Sequence, residues 1–294
     1  MSPPSANNGN AAWLRHRDRG LVLIALMLGL VSGALWMVSR PGFIRDPTVL
    51  RVCADPNNLP FSNAAEEGFE NEIARMAAAD LGARVSYTWW PQRRGFIRST
   101  LDAELCDVVM GVPQDFEMAA TTRSYYASTY VSVTRGDRGL HITSLDDPRL
   151  RALRIGVHLI GDDYASVPPG HALAARGLAD NLRGFSIYGD YAFPDPPAAL
   201  IEAVENRSVD IAIAWGPLAG FFAARRGDLA VDALDSMLEE RLSFAISIGV
   251  RRNDRELRDK LDRFLEVHAC EVTGVLDRFH VPRISLPESR RVSR

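Results

Sequence analysis

From Val49 onward the chain alternates short β-branched apolar runs with segments of helical period, and it does so twice. The strand Val49–Ala54 precedes a helix over 67–81, with Phe69, Ile73, Met76 and Leu81 near helical spacing and Gly82 at its end. A strand over Arg84–Trp89 leads to a helix over 91–104 that opens on proline, and "CDVVMG" at 106–111 makes a third, buried strand. Such β-α-β-α-β order specifies a mostly parallel, doubly wound sheet. After an extended stretch at 128–135, "STYVSVTR", the pattern restarts. Strands at 153–158, 184–189 and 209–215 alternate with helices at 171–182, 197–206 and 217–226. A long strand at 242–252 then returns the chain to an amphipathic helix at 254–269 and a short one at 272–279.

Two α/β units joined by two extended crossings make a two-lobed hinge protein. Residues 48–132 with 244–282 are assigned to the first lobe, 133–243 to the second, and 283–294 to a polar tail. Ligands of such sheets bind beyond the carboxyl ends of the strands. The first strand ends in "DPNNLPFSN", a run of Pro and Asn that neither a helix nor a central strand accepts. The loop 55–63 therefore faces the cleft and brings Asn58 and Phe61 to it. In this topology the first and third strands are neighbours, so Cys53 and Cys106 fall close enough for a disulfide, and Cys270 is left over. No CxxC or Cys/His spacing points to zinc.

That pairing requires an oxidising compartment, and the N-terminus supplies the export signal. Arg15, Arg17 and Arg19 precede eighteen uncharged residues, 21–38. As a helix these span ~27 Å, the thickness of a bilayer core. The basic segment 1–20 is expected in the cytoplasm and everything after 38 in the periplasm. An uncleaved anchor in the inner membrane is the expected form, and Val31-Ser32-Gly33 is the small-residue cleavage site of the alternative, a signal peptide. The net charge of −3 and the absence of a basic face exclude a nucleic-acid partner.

Further cleft candidates follow from strand ends. "WWPQRRGF" puts Trp89 and Trp90 at the end of the second strand and Arg93 and Arg94 in the first turn of the helix after it. Large aromatics with arginines are the anchors of protein and peptide contacts; the alternative is one core Trp and solvated arginines. "LIGDDYAS" follows the first strand of the second lobe, and Gly161, Asp162 and Asp163 form a turn whose amides can hold a ligand or merely cap a helix. A metal site from Asp162, Asp163 and His158 is a weaker reading, since no further ligand has a defined spacing. "YGDYAFPDPP" places Tyr191 on the cleft rim, and Tyr125 and Tyr126 divide between core and cleft wall. Motifs of nucleophilic, phosphate-binding, zinc-hydrolase and dinucleotide chemistry are absent. A cleft carboxylate, Asp55 or Asp163, is the one general acid a lyase or dehydratase on this fold would have.

Over 48–282 the chain resembles the type II periplasmic solute-binding proteins. The marks are "TYVSVTR", "SFAISIGVRRNDRELRDKLDRFL" and "VTGVLDRFHVP". More narrowly, "LRVCADPNNLPFSN", "GFENEIA", "YTWWPQRRGFIR", "CDVVMGVP", "YYASTYV", "GDDYA", "YGDYAFPDPP" and "DIAIAWGPLAGFFA" resemble the accessory proteins of PQQ-dependent (quinoprotein) methanol and alcohol dehydrogenases. The resemblance implies a non-catalytic partner of such a dehydrogenase, with a c-type cytochrome as a second possible associate. It implies no cofactor in this chain, PQQ belonging to the partner enzyme. In the amino-acid-binding members an Arg holds the carboxylate and an Asp the amine. The family's spacing reaches Met118 and Trp215 instead, so amino-acid uptake is disfavoured unless Arg123 supplies a displaced charge. The second reading is the receptor of an ABC importer for a small non-amino-acid solute, and the third is the cleft-based lyase.

Overall fold

In the computed structural model, which describes residues 46–160, 165–187, 194–235 and 242–285, strand β1 (Val49–Ala54) is buried on both faces, as a central parallel strand must be. Two helical bands of the sequence make this possible by covering the sheet. The hairpin β2 (Asn57–Asn58) and β3 (Ser62–Asn63) occupies the loop after β1. Helix α1 (Phe69–Asp80) then turns Phe69, Ile73, Ala74, Ala77 and Ala78 onto the sheet. Asn71 fixes its start by accepting the backbone N–H groups of Gly68 at 3.0 Å and Asn63 at 3.2 Å. Strand β4 (Arg84–Trp89) pairs parallel with one edge of β1.

The second expected helix differs from the sequence reading. Only α2 (Phe96–Ser99) forms within 91–104, because Gly95 adopts φ 85° and breaks the run. Arg93 and Arg94 therefore lie in the turn before a short helix, not in the first turn of a long one. The chain returns as β5 (Val108–Pro113), parallel to the other edge of β1, followed by the short β6 (Ala120–Thr121).

The two crossings are β7 (Tyr126–Arg135) and the last strand of the fold. Within the second lobe come β8 (Ile155–Ile160), β9 (Ala165–Ser166), α3 (Pro168–Ala175), β10 (Leu182–Ser186) and α4 (Ala199–Glu205). Then follow β11 (Ile211–Trp215), α5 (Gly216–Ala224) and β12 (Leu229–Ala233), the last a mixed-polarity strand that the sequence pattern did not reveal. Helix α3 starts earlier than expected, on Pro168, and ends before Gly177 at φ 75°. The return crossing is β13 (Ser243–Val250), after which α6 (Arg255–Val267) and α7 (Ala269–Arg278) close the first lobe.

One continuous sheet results, with spatial order β10-β8-β11-β7-β13-β5-β1-β4. The first half of β7 pairs with β13, down to Thr129 opposite Ser243; from Tyr130, opposite Trp215, it pairs with β11. Strand β13 likewise leaves β7 to pair with β5. Along β11, Ile211 and Ile213 enter one apolar cluster of the second lobe, and Ala212 and Ala214 enter another on the opposite face. The first-lobe core gathers Leu50, Phe69, Ile73 and Ile248 with Leu257, Leu261 and Phe264 of α6. Among the described residues no helix is long and apolar enough to cross a membrane; the segment 21–38 and the tail beyond 285 lie outside them.

Strands β1, β5 and β13 are locked together on the side of the sheet where β5 begins. Cys53 and Cys106 form the disulfide with their Cα atoms 5.5 Å apart, and Cys270 is free and exposed. Beside it, Asp107 is fully buried and accepts from Arg51 at 2.9 Å and from Arg251 at 3.1 Å, while Arg251 also donates to the Cys106 carbonyl. Burial alone would raise the Asp107 pKa, but the two guanidiniums outweigh it and hold the carboxyl below its ordinary value.

Two outcomes follow. Alkylation of the unreduced protein should label Cys270 alone, and reduction should lower unfolding stability by about 4 kcal/mol, the chain-entropy value for a loop of this length. Asp107→Asn leaves two guanidiniums without their shared anion, so urea unfolding should show a loss of about 3 kcal/mol.

Candidate functional site

Beyond the carboxyl ends of β1 and β5, between the lobes, lies a cavity of about 270 Å³. The first lobe contributes Asn58 and Phe61 from the β2–β3 hairpin, Glu70 from α1, Gln92 from the turn after β4, and Gly111 and Pro113 from β5. The crossings contribute Tyr126 and Tyr130 of β7 with Phe244 and Ile246 of β13. From the second lobe come His158, Val167, Pro168, Ile187, Trp215 and Leu218. Both crossings line it, so the hinge is also the cavity wall.

Of the sequence candidates, Asn58, Phe61, Tyr126 and Trp215 meet here. Gly161, Asp162, Asp163 and Tyr191 lie outside the described residues. Trp90 is 40% exposed and Arg94 is also exposed, with Arg93 half-buried; they flank Gln92 in the chain and do not line the cavity. Met118 is also elsewhere. After Pro113 the chain folds back, and Met118 and Phe116 pack on the apolar cluster around Cys53 and Cys106. Counting seven residues from Gly111 thus does not reach the cleft in this chain. Arg123 is engaged with α6, its amide donating to Asp262 at 2.6 Å and its guanidinium 3.5 Å from Glu266.

Asp55, one of the two proposed general acids, is buried and holds backbone. It accepts from the amide of Asn57 at 2.8 Å and that of Gln92 at 2.7 Å, tying the hairpin to the turn after β4, and it does not line the cavity. The carboxyl that does face the cavity is Glu70. Gly111, at φ 68°, leaves its space, since a Cβ there would collide with the Glu70 carboxyl. Burial raises the Glu70 pKa to about 8, so the group is protonated at neutral pH.

His158 is buried and hydrogen-bonds the Pro197 carbonyl. Burial nevertheless pulls its pKa down to about 4, which keeps the ring neutral. Its Nε2 has no partner among the described residues. Asn58 is in the same condition: its Nδ2 donates to Gln92 at 3.1 Å, and its Oδ1 has no partner. Around these groups stands an aromatic wall. The Trp215 ring lies 5.4 Å from Tyr130 and 5.8 Å from Phe244, and its indole N–H donates to the Tyr126 hydroxyl.

No lysine or arginine lines the cavity among the described residues. A ligand carboxylate would meet no counter-charge from these residues, whereas two of them carry unpaired acceptors and several offer rings. Nor do the described residues hold a cluster of three metal ligands; Asp162 and Asp163, the proposed partners of His158, lie outside them. Glu70, Gln92, Tyr130 and Phe244 escaped the sequence reading. The one available signal was aromatic residues on both crossing strands, which line the hinge whichever way the lobes turn.

No family model matches the chain. It is 28% identical over 264 residues to Protein MoxJ of Methylorubrum extorquens, covering 81% of this chain and 82% of that one. The solved structure of the periplasmic binding protein XoxJ from Methylobacterium extorquens AM1 superposes with a TM-score of 0.66 at 30% identity, covering 81% of this chain and all of that one. MxaJ from Methlophaga aminisulfidivorans MPT gives a TM-score of 0.71 at 25% identity, covering 80% of this chain and all of that one. With the two lobes, the twin crossings and the interlobe cavity in place, the chain belongs to the family of periplasmic-binding-protein-like proteins that contains XoxJ, MxaJ and MoxJ, the methanol-dehydrogenase-associated family that its sequence resembles.

Proposed function

We propose that this protein is a non-catalytic periplasmic accessory of a quinoprotein methanol or alcohol dehydrogenase, acting through its interlobe cleft during the maturation or activation of that enzyme. The observation that carries the reading is a cleft that keeps the fold's binding geometry with no cation among the described residues that line it to hold a carboxylate. Trp215 stands at the end of β11, its ring against Tyr130 and Phe244, and the resemblance assigns that position to an acid in the amino-acid receptors of this fold. Beside Gln92 in the chain, exposed Trp90 offers a large apolar contact, and Arg94 offers a positive charge to an acidic segment.

In this reading residues 21–38 tether the protein to the inner membrane, PQQ resides in the partner, and a c-type cytochrome is a further associate. The alternative of a solute receptor draws on one observation, the cavity volume of about 270 Å³, which suits a small molecule or a single side chain and is too small for a folded segment. A catalytic role has less support, since Asp55 is committed to two backbone amides.

Co-purification of the exported protein with the dehydrogenase, and methanol oxidation in a strain lacking this gene, test the reading. We expect a complex and impaired methanol oxidation. Arg94→Glu should slow association about tenfold at low salt and flatten its salt dependence. Trp90→Ala should leave the on-rate nearly unchanged and raise the off-rate about thirtyfold, the cost of truncating an interface anchor. No complex and unchanged methanol oxidation would transfer the reading to the solute receptor.

A further inference from the structure

The polar groups left over in the cavity define the chemistry of what enters it. Asn58 comes from the first lobe and His158 from the second, at 2% and 1% exposure, and each presents an acceptor atom without a partner among the described residues. A buried acceptor without a donor is destabilising, so two of them on residues that line one cavity favour an occupant that brings donors. The third polar group is the carboxyl of Glu70, seated under Gly111. The aromatic wall of Trp215, Tyr130 and Phe244 presents ring faces, which attract cations.

We infer that the cavity is a site for an alkylammonium group, whose N–H donors go to Asn58 Oδ1 and His158 Nε2 and whose charge is matched by the Glu70 carboxylate, with its apolar stem against the aromatic wall. The chemistry is shared by a free amine and by a lysine side chain of a partner protein, which carries the same ammonium on a flexible apolar stem. An alcohol satisfies the two acceptors without drawing the proton from Glu70, and a carboxylate brings further acceptors where donors are needed.

Binding is linked to protonation. Glu70 is protonated in the empty cavity, so entry of the cation drives its proton into solvent, the carboxylic acid becoming a carboxylate paired with the ammonium. The titratable groups around Glu70 are Tyr87 on β4, Tyr126 on β7 and Tyr125 just before it, all three held above their ordinary values by burial and so uncharged through the neutral range. His158 across the cavity stays neutral above about pH 4. Affinity for an ammonium should therefore rise about tenfold per pH unit below pH 8 and level off above it.

The inference rests on the cleft being a binding site, but its primary test uses the isolated protein and is independent of whether a dehydrogenase binds. The probes are n-butylammonium and phenethylammonium, each against its neutral alcohol and its carboxylate analogue, read by thermal shift and Trp215 fluorescence at millimolar concentration. Stabilisation by the ammonium probes alone, stronger near pH 8 than near pH 6 and lost in Glu70→Gln, is the expected result. The empty Glu70→Gln protein should melt with the parent near pH 5 and above it near pH 8.5, because the raised folded pKa makes the parent lose stability as pH rises towards 8. His158→Phe should weaken ammonium binding at least tenfold while retaining the fold. No shift with either ammonium, an equal shift with the alcohols, or an unaltered response in Glu70→Gln would overturn the assignment. Where a complex with the dehydrogenase forms, displacement by n-butylammonium identifies a partner lysine as the occupant, and binding without displacement identifies a free amine.

Discussion

The arrangement depends on two strands that belong to both lobes. Strands β7 and β13 are hydrogen-bonded to each other over Tyr126–Thr129 and Ser243–Ile246, then diverge, one to β11 and β12, the other to β5. At the point of divergence the Thr129 hydroxyl lies 2.9 Å from that of Ser243 and donates to the Leu242 carbonyl at 3.1 Å. Buried backbone groups have to be paired, so the crossings cannot slide past one another without losing that ladder. The side chains on their exposed faces, Tyr126, Tyr130, Phe244 and Ile246, are thereby fixed in the cavity wall.

In the first lobe the elements of stability and of binding adjoin. Around the start of β5, a covalent bond and a buried Arg–Asp–Arg group hold three strands. Cys53, the penultimate residue of β1, carries that bond to the carboxyl end of its strand, where the loop into the cavity begins. There Asn58 and, from the second lobe, His158 carry acceptor atoms without partners among the described residues, and burial pushes the Glu70 pKa up to about 8. A strand so tied can carry unsatisfied groups just beyond its end, which is where the fold places its ligands.

Much of the fold was legible because it is written in local patterns. β1 and β11 are largely apolar runs of strand length, β4 alternates polar with apolar residues, α6 shows a clean apolar stripe, and the neighbouring positions of β1 and β5 follow from topology, which is why Cys53 and Cys106 could be paired in advance. The site was less legible because it depends on direction. Glu70 sits on an amphipathic helix among residues that pattern assigns to solvent, and only the neighbouring glycine turns its carboxyl inward. Met118 was misplaced because a count along the chain cannot see that it folds back after Pro113. The long helix expected at 91–104 failed on Gly95, whose left-handed backbone no periodicity records.

Gly111 and Glu70 also make a pair of positions that cannot vary independently. Any side chain at 111 takes the volume of the carboxyl at 70 and meets strain from the positive φ as well. A relative that carries alanine or a larger residue in place of this glycine must have moved or lost the acid, whatever the rest of its sequence shares with this chain. The two letters together therefore separate members of the same fold whose cleft keeps a carboxyl at this place from those in which it has shifted or gone, without a ligand being known for either.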